Sequence, residues 1–394
     1  MAPDDKPYRV YKGGRVKGKV PAVPGKPRPQ PNRVTPKNGG KGSSRRRVPR
    51  IGRVNWKHVV LVGLLILVVV FLVWSITGFL SFQSGVSAAN KRFDHERGAR
   101  AALAKSNGFL LDHGTTILLL GTDSSTAAGR SGDRHADSIM LVRTDPSHHR
   151  LAYLSIPRDL LVSIPGVGSA KINAAYQAGG TPLAIQTVKS FTGVGIDHVV
   201  IVDFNNFKDL IDAEGGITVN VPEPILSNRF DCPFKTQARC QEWKGWRFQR
   251  GPQHMNGERA LIYSRIRENQ LNPGESDLTR GARQQAVAQA ATAKLTSVST
   301  LLGLPFNGSS LMKPLTTDLS TWQLMELGWV KFRASGSHTL YCRLGGDPTA
   351  VGGSSVLVPS EDNRGTLAMW AGLSAPQPPT TTYGPGCRTG HPLQ

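Results

Sequence analysis

Val59–Leu80 reads VVLVGLLILVVVFLVWSITGFL, 22 residues without one charged side chain. A helix rises about 1.5 Å per residue, so this run is about 33 Å long and matches a hydrocarbon core of about 30 Å. A cleaved signal peptide has a shorter apolar region near its start and small residues at its cleavage site. This run begins late and is long, so it reads as an uncleaved anchor, with Trp56 and Trp74 near its ends as interface residues. No second apolar stretch of that length occurs, which predicts a single-pass cell-membrane protein.

Flanking charge sets the expected orientation. Residues 1–58 hold 17 Lys/Arg against Asp4 and Asp5, so +15 of the formal +21 lies before the anchor. Basic flanks stay in the cytoplasm, which puts everything after Leu80 on the extracytoplasmic side. The tail is rich in Pro, Gly, Lys and Arg and cannot bury enough apolar surface to offset its chain entropy, so it reads as disordered. Its RRRVPR (45–50) reads as a topology signal beside a membrane, and no nucleic-acid partner is expected. Four cysteines, Cys232, Cys240, Cys342 and Cys387, all follow the anchor. An even count in an oxidising compartment suggests disulfides; three connectivities are open, and proximity favours 232–240 with 342–387.

The external part alternates strands and helices. TTILLLGTD (115–123), SIMLVRTD (138–145), LAYLSIPRD (151–159), HVVIVDF (198–204) and ITVNVP (217–222) read as strands. TPLAIQTVKSFTG (181–193) has helical spacing, with Thr181 as cap and Pro182 at the first position. NNFKDLIDAEGG (205–216) reads as a helix ended by glycines, 256–268 as helix then strand, and 278–299 as a long helix. This pattern predicts an α/β domain, three layers deep, with a mixed sheet covered on both faces. The expected division is a basic tail (1–58), the anchor (59–80), a helical juxtamembrane linker (81–112), a main α/β domain (113–300), a C-terminal α/β extension (301–375) and a loop-like tail (376–394).

Charge collects at the strand ends, where open α/β sheets build their sites. Asp123 ends one strand, Arg158 and Asp159 follow another, and RHAD (134–137) enters a third. Carboxylates suit Mg²⁺ (or Mn²⁺), which shares oxygen ligands with phosphates, while arginine's planar fork suits phosphate oxygens. In YSRIRENQLNPGESDLTRGARQQ (263–285), Arg265 and Arg267 are two apart and would share a strand face. Beyond a Pro-Gly break, Asp277 stands where a helix N-cap should be, and Arg280 and Gln284 share a helix face. Ion pairing within that segment explains the same residues, so the pattern alone leaves phosphate binding and a charged surface equally open.

Seven blocks in order, LLLGTD, ADSIMLVRTD, LSIPRDLLVSIPG, KINAAYQAGG, VDFNNFKDLIDAEGGITVNVP, MNGERALIYSRIR and DLTRGARQQ, resemble the LytR–CpsA–Psr family of cell-wall glycopolymer ligases. The resemblance runs from about Ile117 to Leu295, and the later SEDNR…LAMW block and the basic, Pro-rich tail look like those of actinobacterial members. It implies an α/β/α domain that holds a polyprenyl-pyrophosphate-linked glycan, its tail in an apolar groove and its pyrophosphate among arginines with Mg²⁺. The implied reaction is phosphotransfer to a peptidoglycan sugar hydroxyl, forming a phosphodiester and releasing polyprenyl phosphate.

By matching motif, Asp137 would serve a metal or act as base, with Asp123 beside it as a metal ligand. Arg158 and Asp159 would be catalytic. Arg158, Arg265, Arg267, Arg280, Gln284, Lys171 and Arg134 would bind pyrophosphate, with Asp277 in support. The chain departs from the pattern in one block: His135 stands where the family has arginine two residues before the acid, Arg134 lies three before it, and Ser138 replaces threonine. Two other readings share these residues. One is a membrane-tethered regulator or binding module resembling a transcriptional attenuator; the other is a hydrolase of polyprenyl-pyrophosphate lipids with water as acceptor.

Overall fold

The computed structural model describes residues 25, 55–104, 108–124, 134–230, 232–272, 277–334, 336–381, 384–390 and 392–393, without the side chains of 123, 124, 134, 135, 277 and 278. The chain divides into residues 1–59 and 60–394. Of the first unit only residue 25 and residues 55–59 are described, so the expected disordered tail lies outside the described residues. The rest of the fold belongs to the second unit.

Helix α1, Trp56–Asp94, contains the apolar run and is the one helix among the described residues long and apolar enough to cross a membrane. It continues without a break into the segment expected to be a separate linker. That linker is not a solvated spacer. Gly85, Val86, Ala89 and Phe93 are buried, and Arg92 donates to the carbonyls of Met312 and Leu315.

The domain is built on one seven-stranded mixed sheet. Its strands are β1 (Thr116–Ser124), β2 (Arg134–Asp145), β3 (Arg150–Ile156), β4 (His198–Asp203), β5 (Leu315–Thr317), β6 (Leu340–Arg343) and β7 (Gly386–Thr389), in the spatial order β5-β4-β1-β2-β3-β6-β7. β1 is antiparallel to β2 and parallel to β4, and β3 is antiparallel to β2 and parallel to β6. Strand side chains alternate between faces, and the two faces here have separate cores. Leu118, Leu120, Leu141 and Leu154 pack with α2 (Ala174–Thr192) on one side. Ile117, Met140, Val142 and Tyr153 pack on the other with Val330 of a helix at Thr321–Arg333. That gives the three layers expected. Within α2 the backbone leaves helical geometry at Gly179 and Gly180, the latter at φ +62°, and restarts at Thr181-Pro182, as the Pro at a first turn predicted.

Two expectations are corrected. Residues 301–375 do not stand apart, because β5 and β6 belong to the central sheet. The 376–394 segment is not simply loop, because β7 pairs along β6 and Cys387 lies opposite Cys342 in register. Cys342–Cys387 and Cys232–Cys240 are both disulfides, the pairing that proximity favoured. One predicted strand falls outside the central sheet: Ile217–Val221 pairs with Gly251–Met255. Ser354–Pro359 pairs with Gly346–Val351 in a further separate hairpin.

Candidate functional site

A register shift builds the first wall of the site. β1 and β2 pair Gly121 with Ser138 but Thr122 with Ala136, leaving Asp137 as the extra residue of a β-bulge. Bulges re-aim a side chain that regular pleating would direct elsewhere. Gly121 permits the local crowding: a Cβ there would lie 2.7 Å from the Phe204 ring and 2.9 Å from Ser138 Cβ.

The turn after β3 supplies the second wall. Arg158 Nη1 donates to Asp137 Oδ1. Arg158 Nε is 3.6 Å from Asp159 Oδ2, and Lys171 Nζ donates to Asp159 Oδ1 at 2.9 Å. Charges therefore alternate along a chain from Asp137 through Arg158 and Asp159 to Lys171, each neutralising its neighbour in a partly desolvated setting.

Helices α3 (Phe204–Ala213), α4 (Gly257–Arg265) and α5 (Asp277–Leu295) close the site. Asn256 caps α4 by accepting from Arg259 N. The strand expected to carry Arg265 and Arg267 is replaced by the last turn of α4 and the residues beyond it, because the helix runs to Arg265 and stops at an extended Ile266 (φ −59°, ψ 127°). Ile266 is fully buried. An extended residue anchored in the core puts its two neighbours on the opposite side, so the arginines converge by another route. On α5, Gly281 lets the helix press on the sheet: a Cβ there would fall 2.3 Å from Ser155 Oγ. Gln284 then reaches β2, with its Nε2 donating to Asp137 O (3.3 Å) and its Oε1 accepting from Ser138 Oγ (2.9 Å).

These walls enclose a cavity of about 250 Å³ lined by Asp137, Arg158, Phe204, Asn228, Phe230, Arg265, Arg267, Arg280 and Gln284. Arg280 is buried and Arg267 exposed. Among the described residues, four arginines on one small cavity against a single carboxylate make a strongly anion-attracting pocket. Asp159 and Lys171 are not among the lining residues; they sit behind Arg158 as its supporting pair. The side chains of Asp123, Arg134, His135 and Asp277 lie outside the described residues. Their backbones place Asp123 opposite His135 on β1 and β2, and Asp277 at the start of α5.

Arg283, a fourth arginine of the 263–285 segment, has a structural place. It is buried, and its Nη2 donates to Ile266 O and Thr279 Oγ1, both at 2.9 Å. The side chain ties α5 to the turn that carries Arg265 and Arg267. Sequence reasoning also missed Phe204, Asn228, Phe230 and Ser138. The first three are uncharged residues, and only the topology brings them to the cavity. Asn228 Oδ1 is buried without a hydrogen-bond partner among the described residues. Orphaned polar atoms at a cavity wall mark places where a ligand completes the hydrogen bonding.

No group of three or more His, Cys, Asp or Glu side chains that could form a metal cage occurs among the described residues. Mg²⁺ needs no such cage, since it binds through one or two carboxylates and completes its shell with phosphate oxygens and water. Asp137 is the carboxylate that the cavity offers.

Residues 77–363 match the LytR_cpsA_psr family, and the chain belongs to it. Similar curated proteins include the polyisoprenyl-teichoic acid–peptidoglycan teichoic acid transferase TagV of Bacillus subtilis (strain 168), 33% identical over 249 residues, 62% of this chain and 59% of that one. TagU of Bacillus mycoides (strain KBAB4), which carries the same transferase name, is 32% identical over 214 residues, 54% of this chain and 62% of that one. The chain thus spans about three fifths of the length of these relatives. Among solved structures, B. subtilis TagV superposes with a TM-score of 0.51 at 28% identity, covering 65% of this chain and 96% of that one. TagT bound to LI-WTA gives 0.51 at 25% identity over 68% of this chain and 95% of that one.

Proposed function

We propose that the chain is a membrane-anchored phosphotransferase that moves a phosphate-linked glycopolymer from a polyprenyl-pyrophosphate carrier to a peptidoglycan sugar hydroxyl. The observation that carries this reading is the 250 Å³ cavity where Arg158, Arg265, Arg267 and Arg280 converge. Guanidinium groups pair bidentately with phosphate oxygens and keep their charge at any working pH. The names of the curated relatives support the same donor and acceptor classes. In this reading α1 spans the cell membrane, the basic tail stays in the cytoplasm, and the cavity works outside.

The hydroxyl oxygen attacks the glycan-proximal phosphorus, a new P–O bond forms, and the bond to the bridging oxygen breaks. Polyprenyl phosphate leaves carrying the bond's electron pair. Charge developing on the phosphoryl and bridging oxygens is held by the four guanidinium groups, which are fixed in place beforehand by Asp137, Ile266 and Gly281; such preorganised charge is the main lever in phosphoryl transfer. Asp137 accepts the hydroxyl proton once Arg158 has turned to the phosphates. Asn228 Oδ1 is an acceptor atom and cannot meet a phosphate oxygen, but it suits the incoming sugar hydroxyl. A Mg²⁺ ion held by Asp137, with Asp123 as a second ligand, would supply further neutralisation of the pyrophosphate.

The test is turnover by the purified full chain of a polyprenyl-pyrophosphate-linked glycan, with and without EDTA, reading release of polyprenyl phosphate. Release is expected to depend on Mg²⁺ and to be mostly lost in Arg158→Ala and Arg267→Ala. Full activity in both variants would remove the assignment of this cavity. Capture of the glycan on added peptidoglycan separates transfer from hydrolysis.

A further inference from the structure

Two helices beside α1 carry apolar side chains that the fold leaves uncovered. Helix α6, Val298–Asn307, has no charged residue in its 10 positions and exposes Val298, Leu302 and Phe306, the last to 84%. Helix α7, Thr321–Arg333, is apolar on two sides. Leu327 and Val330 pack against the sheet core. Trp322, Met325, Trp329 and Phe332 recur at i, i+3, i+7 and i+10 and form an exposed stripe, Phe332 to 77%. One apolar stripe suffices to seat a helix; a second that stays uncovered marks an interaction surface.

Both surfaces are continuous with the apolar run of α1. Trp74 Nε1 donates to Leu302 O at 3.0 Å, and the rings of Phe79 and Trp322 lie 5.6 Å apart. Glycines make the approach close. A Cβ on Gly85 would be 2.7 Å from Ser309 Cα, and one on Gly308 would be 2.8 Å from Phe82 N. Trp74 stands six residues before Leu80, about 9 Å along the axis, so α6 lies alongside the apolar run and not beyond its end. Interfacial helices bury their apolar faces about 5–10 Å into the headgroup and acyl boundary, so the depth agrees.

We propose that α6 and the exposed stripe of α7 form a foot seated in the outer leaflet beside the anchor, with the phospholipid bilayer as occupant. The proposal rests on the reading of α1 as membrane-spanning. Trp322 and Trp329 supply exposed aromatic side chains suited to the headgroup level. The foot also bears on catalysis. α5 leads into α6 after two residues, and Arg280 lies 15 residues before Leu295, about 22 Å of helix. A seated α6 therefore holds the arginine cavity within roughly one helix length of the lipid headgroups.

The experiment is photolabelling of the full chain, reconstituted in vesicles of phosphatidylcholine and phosphatidylglycerol that carry a diazirine phospholipid, with adducts mapped by peptide mass spectrometry. Adducts are expected on 59–80, 298–307 and 322–332 and not on 247–268. In the Leu302→Ser/Phe306→Ser variant those on 298–307 should be lost while those on 59–80 persist. Labelling confined to 59–80 would overturn the foot and leave the anchor intact. An unlabelled 59–80 would remove the anchor reading and the foot with it. Cross-links joining 298–307 of two copies, in place of lipid adducts, would make this face an oligomer contact and also overturn the proposal.

Discussion

Arg158 donates through Nη1 to Oδ1 of Asp137, the residue that the β-bulge adds to β2. The pair ties the central arginine of the cavity to a carboxylate that a pyrophosphate has to displace, so the two residues have opposite effects on binding. With divalent ions chelated, Asp137→Asn removes a negative charge from an anion pocket and should hold or tighten the affinity for a pyrophosphate lipid. The same change removes the proton acceptor, and kcat should fall by about 10²- to 10⁴-fold, the usual contribution of a positioned base. Equilibrium binding and single-turnover rates on one preparation give both numbers. An unchanged kcat would exclude Asp137 as the base.

Arg283 and Arg267 are 16 positions apart in the sequence and should separate stability from activity. Arg283 is buried and makes two hydrogen bonds through Nη2 to Ile266 O and Thr279 Oγ1. Hydrogen bonds to charged groups contribute about 1.5–3 kcal/mol each, so Arg283→Ala should lower Tm by several degrees. Arg267 is exposed at the cavity rim. Arg267→Ala should leave Tm nearly unchanged and abolish most turnover. Thermal unfolding and product release on both variants test the contrast, and a large Tm loss in Arg267→Ala would contradict it.

Much of the site was legible because its chemistry is written in short, charged blocks. Asp137, Arg158, Arg265, Arg267, Arg280 and Gln284 were all named from spacing and motif, and all six line one cavity. The route by which Arg265 and Arg267 converge was not legible. Period-two spacing reads the same whether the residues sit in a strand or flank one buried extended residue, and Ile266 decides between them only through its burial. Arg283 was illegible for a related reason: charge signals exposure until tertiary structure supplies buried acceptors. The C-terminal strands were underestimated because β5 and β7 are short, and their partners, β4 and β6, are far away in sequence. Asn228 and Phe230 carried no chemical signal, and only the fold brings them in.

Gly281 is a test of how the α5 residues are aimed. A methyl group there would sit 2.3 Å from Ser155 Oγ and 3.1 Å from Ser155 Cβ, so α5 would have to lift from β3. Gly281→Ala should destabilise by about 1–3 kcal/mol, as overpacking does. Activity should drop further than stability, because Arg280 and Gln284 flank the displaced residue. Combining it with Ser155→Ala should cost less than the sum of the two single changes, since the hydroxyl is the nearest obstacle. Chemical denaturation of the four proteins measures the coupling; strict additivity would place the strain elsewhere.

The two disulfides should differ in their contribution to stability. Cys342–Cys387 spans 45 residues and fixes the edge strand β7, while Cys232–Cys240 spans 8. Loop-closure entropy gives about 4 kcal/mol for the first and about 2.5 kcal/mol for the second. Cys342→Ala/Cys387→Ala should therefore lower the urea midpoint more than Cys232→Ala/Cys240→Ala. The reverse order would mean that the edge strand holds through packing alone.

Tyr153 and Tyr341 stack in the core between the sheet and α7, with ring centroids 5.4 Å apart and planes within 6° of parallel. Burial pushes the Tyr153 phenol up to about 12 and also raises that of Tyr341. A raised folded-state value means that the folded chain keeps its proton where the unfolded chain, near 10, gives it up. The native state is then at full stability below about pH 10, and stability falls as pH climbs from about 10 toward 12. The slope is about 1.4 kcal/mol per pH unit for each such group. Tyr153→Phe removes one of the two groups, so its Tm should decline more gently over that window while matching the parent protein's trend below it. Thermal melts across the alkaline range measure this difference. Parallel alkaline declines in the two proteins would show that Tyr153 ionises as readily folded as unfolded.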